Sequence, residues 1–227
     1  DLHAVSDDQV GSLLAELVLL KPGQKLEDVV SPETAKLLDE NDALLAQLGL
    51  PKNARTRFKP WYIAVSLVQL AASDSGYDLV RSAESALLSR IGDAPLLGLE
   101  SLDGQLRLMD TLPPAAQDAM LRDTLARLND AVAELKRLVD AWRAADRSEL
   151  VAISRQGLDE IPSLGAFYDR LLKDRNHNWV RELRAMIEDP ERKHDTIFVA
   201  VGALHLVGED GLEKLFAEAG YDVVRIH

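Results

Sequence analysis

Apolar residues recur at helical spacing along most of this chain. In DDQVGSLLAELVLL (7–20), Val10, Leu13, Leu14 and Leu17 share one face behind an Asp-rich start, and Pro22 and Gly23 break the run. SPETAKLLDENDALLAQLGL (31–50) predicts a helix with Ser31 as N-cap, Pro32 in the first turn and Gly49 as the stop. KPWYIAVSLVQLAAS (59–73) is apolar almost all round and predicts a buried helix, and 77–92 predicts an amphipathic one ended by Gly92. A Leu/Ala/Val stripe through 114–146 predicts one long helix, followed by helical segments over 147–154 and 162–189.

Three short runs read instead as strands: APLLGLE (94–100), the β-branched DTIFVAVGA (195–203), and YDVVRI (221–226). The last two flank a helical stretch, EDGLEKLFAEAG, which predicts a C-terminal β-α-β unit. The expected fold class is α/β, mostly helical, with a small mixed sheet and a large helical insertion at roughly 102–190. A sheet of three strands is thin for 227 residues.

Composition narrows the function classes. Hydrophobic residues make up 47% and charged residues 28%, an ordinary globular balance. Lys plus Arg number 26 against 38 Asp plus Glu, a net charge of −12, so the chain repels phosphate backbones and nucleic acid is not expected as a partner. Its longest apolar runs are short and interrupted, as by Glu16, so no transmembrane segment is expected. The absence of cysteine removes disulfides, thiolate nucleophiles and Cys-based metal sites.

The chemistry concentrates near the C-terminus. His205 follows the predicted strand 195–203, and in open α/β sheets ligands bind outside the carboxyl ends of strands. Gly202 is expected to let the backbone turn there without a Cβ, presenting the imidazole as metal ligand or acid/base. A structural histidine capping a strand is the competing reading of this spacing.

The surrounding text, VAVGALHLVGEDGLEKLFAEAGYDVVRI, resembles the C-terminal signature of the TraB/GumN family, which includes the Tiki proteins. Gly202, His205, Leu206, Gly208, Gly211, Leu212, Gly220, Tyr221 and Val223 carry that resemblance. Further landmarks follow in order: KPW (Lys59, Pro60, Trp61), GLES (98–101) with Gln105 beyond it, DAWRAAD (140–146) with Ala145 where the family has Gly, and DRNHNW (174–179). The resemblance spans essentially the whole chain as one domain, 1–227. The family's first Gly-Thr-x-His motif and the strand after it are not in this text, so the domain reads as N-terminally incomplete. That also accounts for the thin sheet.

The resemblance implies a fold similar to that of erythromycin esterase and ChaN-type proteins. It also implies a divalent-metal-dependent peptidase or hydrolase activity on an extracytoplasmic peptide or protein, with Mn²⁺, Co²⁺ or Zn²⁺ as the cofactor and a periplasmic or secreted location. On this expectation His205 and Glu100 are metal ligands, and His205, Glu100 and Arg175 are catalytic. Arg175, Asn176 and Lys59 are expected to bind substrate, with Gly202, Gly208 and Trp61 structural. The alternatives are a solvated Glu100, an internal salt bridge for Arg175, a turn-capping Asn176 and a core Trp61. His177 and His194 read as surface histidines. The competing functional reading is a non-catalytic peptide-binding module, and an incomplete sheet would also permit assembly with a second chain.

Overall fold

A computed structural model describes residues 7–77, 83–156, 158 and 163–226. His3, His227 and residues 78–82 of the helix expected at 77–92 lie outside them. The helices in chain order are α1 Asp7–Val18, α2 Pro32–Glu40, α3 Asp42–Gln47, α4 Lys52–Arg55, α5 Pro60–Asp74, α6 Ala83–Leu88, α7 Leu102–Asp110, α8 Pro114–Ala126, α9 Ala131–Arg143, α10 Arg147–Ser154, α11 Ser163–Tyr168, α12 Asp174–Ile187 and α13 Leu212–Glu218.

Local chemistry sets the boundaries. The Ser31 hydroxyl accepts from the Thr34 amide and Pro32 occupies the first turn of α2, as the sequence predicts. The expected helix 31–50 divides at Asn41, whose side-chain amide donates to the Leu37 carbonyl at 2.8 Å. Such back-bonding competes with the helical ladder. The expected helix 114–146 divides likewise, at a 3₁₀ turn over Leu128–Asp130, where Asn129 and Asp130 favour a turn.

The core forms where α5 packs on α8 and α8 on α2. Ile63, Ala64 and Leu67 from α5 meet Ala116, Ala119, Leu121 and Leu125 from α8, with Trp61 and Leu38 among the same buried residues. The alanines let two helix backbones approach closely, and each fully buried Leu or Ile contributes about 1.5–3 kcal/mol of transfer free energy. Trp61 is thus a core residue, at 2% exposure. A smaller cluster of Ala141, Leu150 and Val207, with Leu138, Val151, Ala203 and Leu204 against it, ties α9 and α10 to the turn that carries His205.

The α/β expectation is overturned. No strand or sheet forms among the described residues; the single β-bridge is an isolated antiparallel one between Leu19 and Phe58. Residues 94–100, 195–202 and 221–226 run without pairing, and α13 therefore joins two unpaired segments rather than two strands. Their apolar side chains face outward: Phe198 is 76% exposed, Val224 73% and Ile226 92%. β-branched and apolar runs report a fit to a pleated, covered surface. A strand also needs a neighbouring backbone to pair with, and the described residues supply none.

Candidate functional site

Three elements converge on His205. The first is the 3₁₀ turn Ala203–His205, opened by Gly202 and held from below by contacts with α10. Gly202 has φ −60°, open to any residue, so the backbone there does not need glycine. Its missing Cβ instead leaves room beside the ring, since an added Cβ would stand 3.7 Å from His205 Cδ2. Gly208, at φ +85°, does need glycine, and so does Gly211, where a Cβ would meet the carbonyl oxygens of Val207 and Leu206 at 2.6 and 2.7 Å.

The second element is α12, which places Arg175, Asn176 and Trp179 on one side by their i, i+1 and i+4 spacing. Asn176 is 1% exposed and His205 7%. The Asn176 Nδ2 donates to two backbone carbonyls, of His205 at 3.2 Å and Asp210 at 2.7 Å. Carbonyls only accept, so this end of the amide is the NH₂ and Oδ1 must be the atom facing His205 Nδ1 at 2.7 Å. The oxygen also only accepts. The proton of the neutral imidazole therefore sits on Nδ1, and Nε2 keeps its lone pair with no hydrogen bond to any described residue.

Trp179 touches both of its neighbours. Its ring centroid lies 4.5 Å from that of His205, and the Arg175 guanidinium carbon lies 4.8 Å from it, a cation–π distance. Burial, with the Arg175 charge second, pushes the His205 pKa down to about 4. The imidazole is neutral throughout the physiological range. Trp179 Nε1 is buried with no acceptor among the described residues, at a cost of about 1–3 kcal/mol that the surrounding packing offsets.

The third element is the stretch before α7. Glu100 Oε1 and Oε2 accept from Arg175 Nε at 2.8 and 3.1 Å, and Arg175 Nη1 donates to the Leu171 carbonyl at 3.0 Å. The pair is largely shielded, with side chains 12% and 23% exposed. Glu100 and Arg175 line an open cleft of about 340 Å³ together with Ser101, Gly104, Arg170 and Asp174. The turn Asp169–Lys173 on its wall is π-helical, a rare form that concentrates at functional sites.

The structure thus brings His205, Asn176, Arg175 and Glu100 into one chain of contacts, and leaves Lys59 out of it. Lys59 Nζ donates to Asp110 Oδ1 at 2.5 Å and joins the start of α5 to the end of α7. His177 and His194 are exposed. Among the described residues, no group of three or more His, Asp or Glu stands close enough to hold a metal ion. Arg170, which the sequence did not single out, belongs to this region, as do Asp174 and Trp179, which lie in the DRNHNW motif but carried no assigned role. The i, i+4 spacing of Arg175 and Trp179 was the signal available for Trp179.

Comparison with known proteins agrees with the motifs that frame this site. The sequence profile of the TraB/PrgY/gumN family matches residues 2–225. A protein of Treponema pallidum (strain Nichols), described as "Uncharacterized protein", is 25% identical over 185 residues, covering 77% of this chain and 54% of the relative. "Uncharacterized protein YbaP" of Escherichia coli (strain K12) is 26% identical over 195 residues, covering 85% of this chain and 68% of the relative, and YbaP of Shigella flexneri matches to the same extent. The match spans about half the length of the Treponema relative and two thirds of YbaP. No solved structure matches. With the profile running from residue 2 to residue 225, through every element that builds the His205 site, the chain belongs to the TraB/PrgY/gumN family.

Proposed function

We propose that this chain is part of a hydrolase acting on a peptide or protein outside the cytoplasm, with His205 as the group that meets the reacting centre. One observation carries the reading. Asn176 spends both amide protons on backbone carbonyls and its oxygen on His205 Nδ1, leaving a buried, neutral imidazole with an unengaged Nε2. Nε2 is not among the buried atoms that lack a partner, so it reaches the surface, where a ligand or substrate would meet it. A reactive or ligating histidine has one nitrogen fixed by a partner and the other free.

A divalent ion, Mn²⁺, Co²⁺ or Zn²⁺, is part of the proposal. The described residues fit one corner of such a site and no more: His205 is neutral, its tautomer leaves a lone pair at Nε2, and its other nitrogen is hydrogen-bonded. Glu100 is spent on Arg175, so further donors would come from outside the described residues, and no step is assigned to the ion. What this chain's residues do is hold the imidazole in one tautomer, keep a proton off Nε2 at neutral pH, and, through Glu100 and Arg175, line a charged cleft. The low basicity of His205 suits a lone-pair donor better than a proton store at pH 7.

The Glu100–Arg175 pair favours a second reading. With Arg175 spent on Glu100 rather than poised for catalysis, the open cleft that the pair lines also suits a peptide-binding module without turnover. Assaying hydrolysis of a mixed peptide pool by the longest natural form of the protein, with Mn²⁺, Co²⁺ or Zn²⁺ and with chelator, separates the two. The hydrolase reading expects turnover that falls about 10²–10⁴-fold in His205→Ala. Binding without turnover under every condition supports the module.

A further inference from the structure

The cleft beside the His205 site carries charge in an unusual balance. Glu100 and Arg175 neutralise one another across 2.8 Å. Two exposed charges on the same wall do not: Asp174 makes no ion pair among the described residues, and the one hydrogen bond of Arg170 is a long 3.4 Å contact to Thr111 Oγ1. Arg170, within the π-helical turn, and Asp174, just after it, sit four residues apart without bridging. Gly104, also on the cleft's lining, donates its amide to the Ser101 cap of α7, and a Cβ there would press on Ser101 Oγ at 3.2 Å.

We propose that this cleft binds the free ends of a short peptide, its ammonium against Asp174 and its carboxylate against Arg170. The inference rests on the peptide reading above and names which peptides. A simple anion would meet the repulsion of Asp174, and a simple cation that of Arg170; a ligand bearing both charges satisfies both residues. A cleft of about 340 Å³ lies at the small end of ligand-sized pockets, about 300–1,000 Å³, which sets the ligand at roughly the size of a dipeptide.

Amide chemical shifts of the chain titrated with Ala-Ala, N-acetyl-Ala-Ala and Ala-Ala amide test this. Because the two charges are exposed and partly screened, capping either end is expected to weaken binding about three- to tenfold. In Arg170→Gln the penalty for the C-terminal amide disappears while that for acetylation stays. Asp174→Asn shows the reverse. Both positions are exposed, so the variants keep the fold, which their unperturbed spectra would confirm. Equal binding of all three peptides, or shifts that leave residues 100–104 and 170–178 untouched, overturns the proposal. Dipeptide binding with these preferences but no hydrolysis sinks the hydrolase reading alone. Hydrolysis dependent on His205 but indifferent to capping sinks this one alone.

Discussion

At the residue scale the central fact is a single hydrogen bond that cannot be turned around. Because the Asn176 NH₂ is fixed by two carbonyls, the His205 proton is fixed too, and burial makes a second proton costly. The folded pKa of about 4 lies below the ordinary 6.5, so the unfolded chain binds a proton in that window and the folded chain does not. Stability from this group is complete above about pH 6.5 and is lost as pH falls towards 4. With the ring's residual solvent contact, the loss between pH 7 and 5 should be about 1–2 kcal/mol. Urea unfolding of the wild type and His205→Gln at both pH values isolates it, because the variant lacks this part of the slope. Equal slopes would contradict the burial argument. His205 and Asn176 were both legible in the sequence as members of motifs. Their mutual hydrogen bond was not, since 29 positions separate them and only packing brings them together.

At the element scale, the turn from 202 to 211 positions the imidazole, and its glycines divide by physical demand. Gly202 adopts an ordinary φ, whereas a Cβ at Gly211 would run into two backbone oxygens, of Leu206 and Val207, which unlike a side-chain tip cannot swing aside. Gly211→Ala is therefore expected to destabilise the chain by about 2–4 kcal/mol, in the range of severe steric and backbone substitutions. Gly202→Ala should cost less than about 1 kcal/mol. Thermal melts of the two variants check the order, and a larger loss for Gly202→Ala would contradict it. Helices were readable where caps and periodicity coincide, as at Ser31 and Pro32. They were over-extended at Asn41, where the backbone leaves helical geometry at φ −97° and ψ 7° and the side chain shares the Leu37 carbonyl with its own amide.

At the scale of the molecule, the buried core is helical, centred on α5 and α8, and the three apolar runs read as strands lie unpaired around it. Composition could not reveal this, because Phe198, Val224 and Ile226 carry the same local signal whether or not a partner backbone is present. Far-UV circular dichroism of the chain should show helical minima near 208 and 222 nm with no resolved β component. A spectrum with substantial sheet content would contradict the fold. No described helix is long and apolar enough to cross a membrane. The charge of −12 comes from the excess of carboxylates over cations, and the exposed ion pairs contribute little each.

The role of His205 stands on the state of its imidazole. A long-range ¹H–¹⁵N correlation spectrum of the histidine side chains, recorded from pH 7 to 5, reads tautomer and charge together. The prediction is a His205 ring protonated at Nδ1 only, with an Nε2 shift typical of a bare lone pair that does not move across the range. An Nε2–H tautomer, or a titration near the ordinary 6.5, would contradict it and remove the ground for placing His205 at a reacting centre.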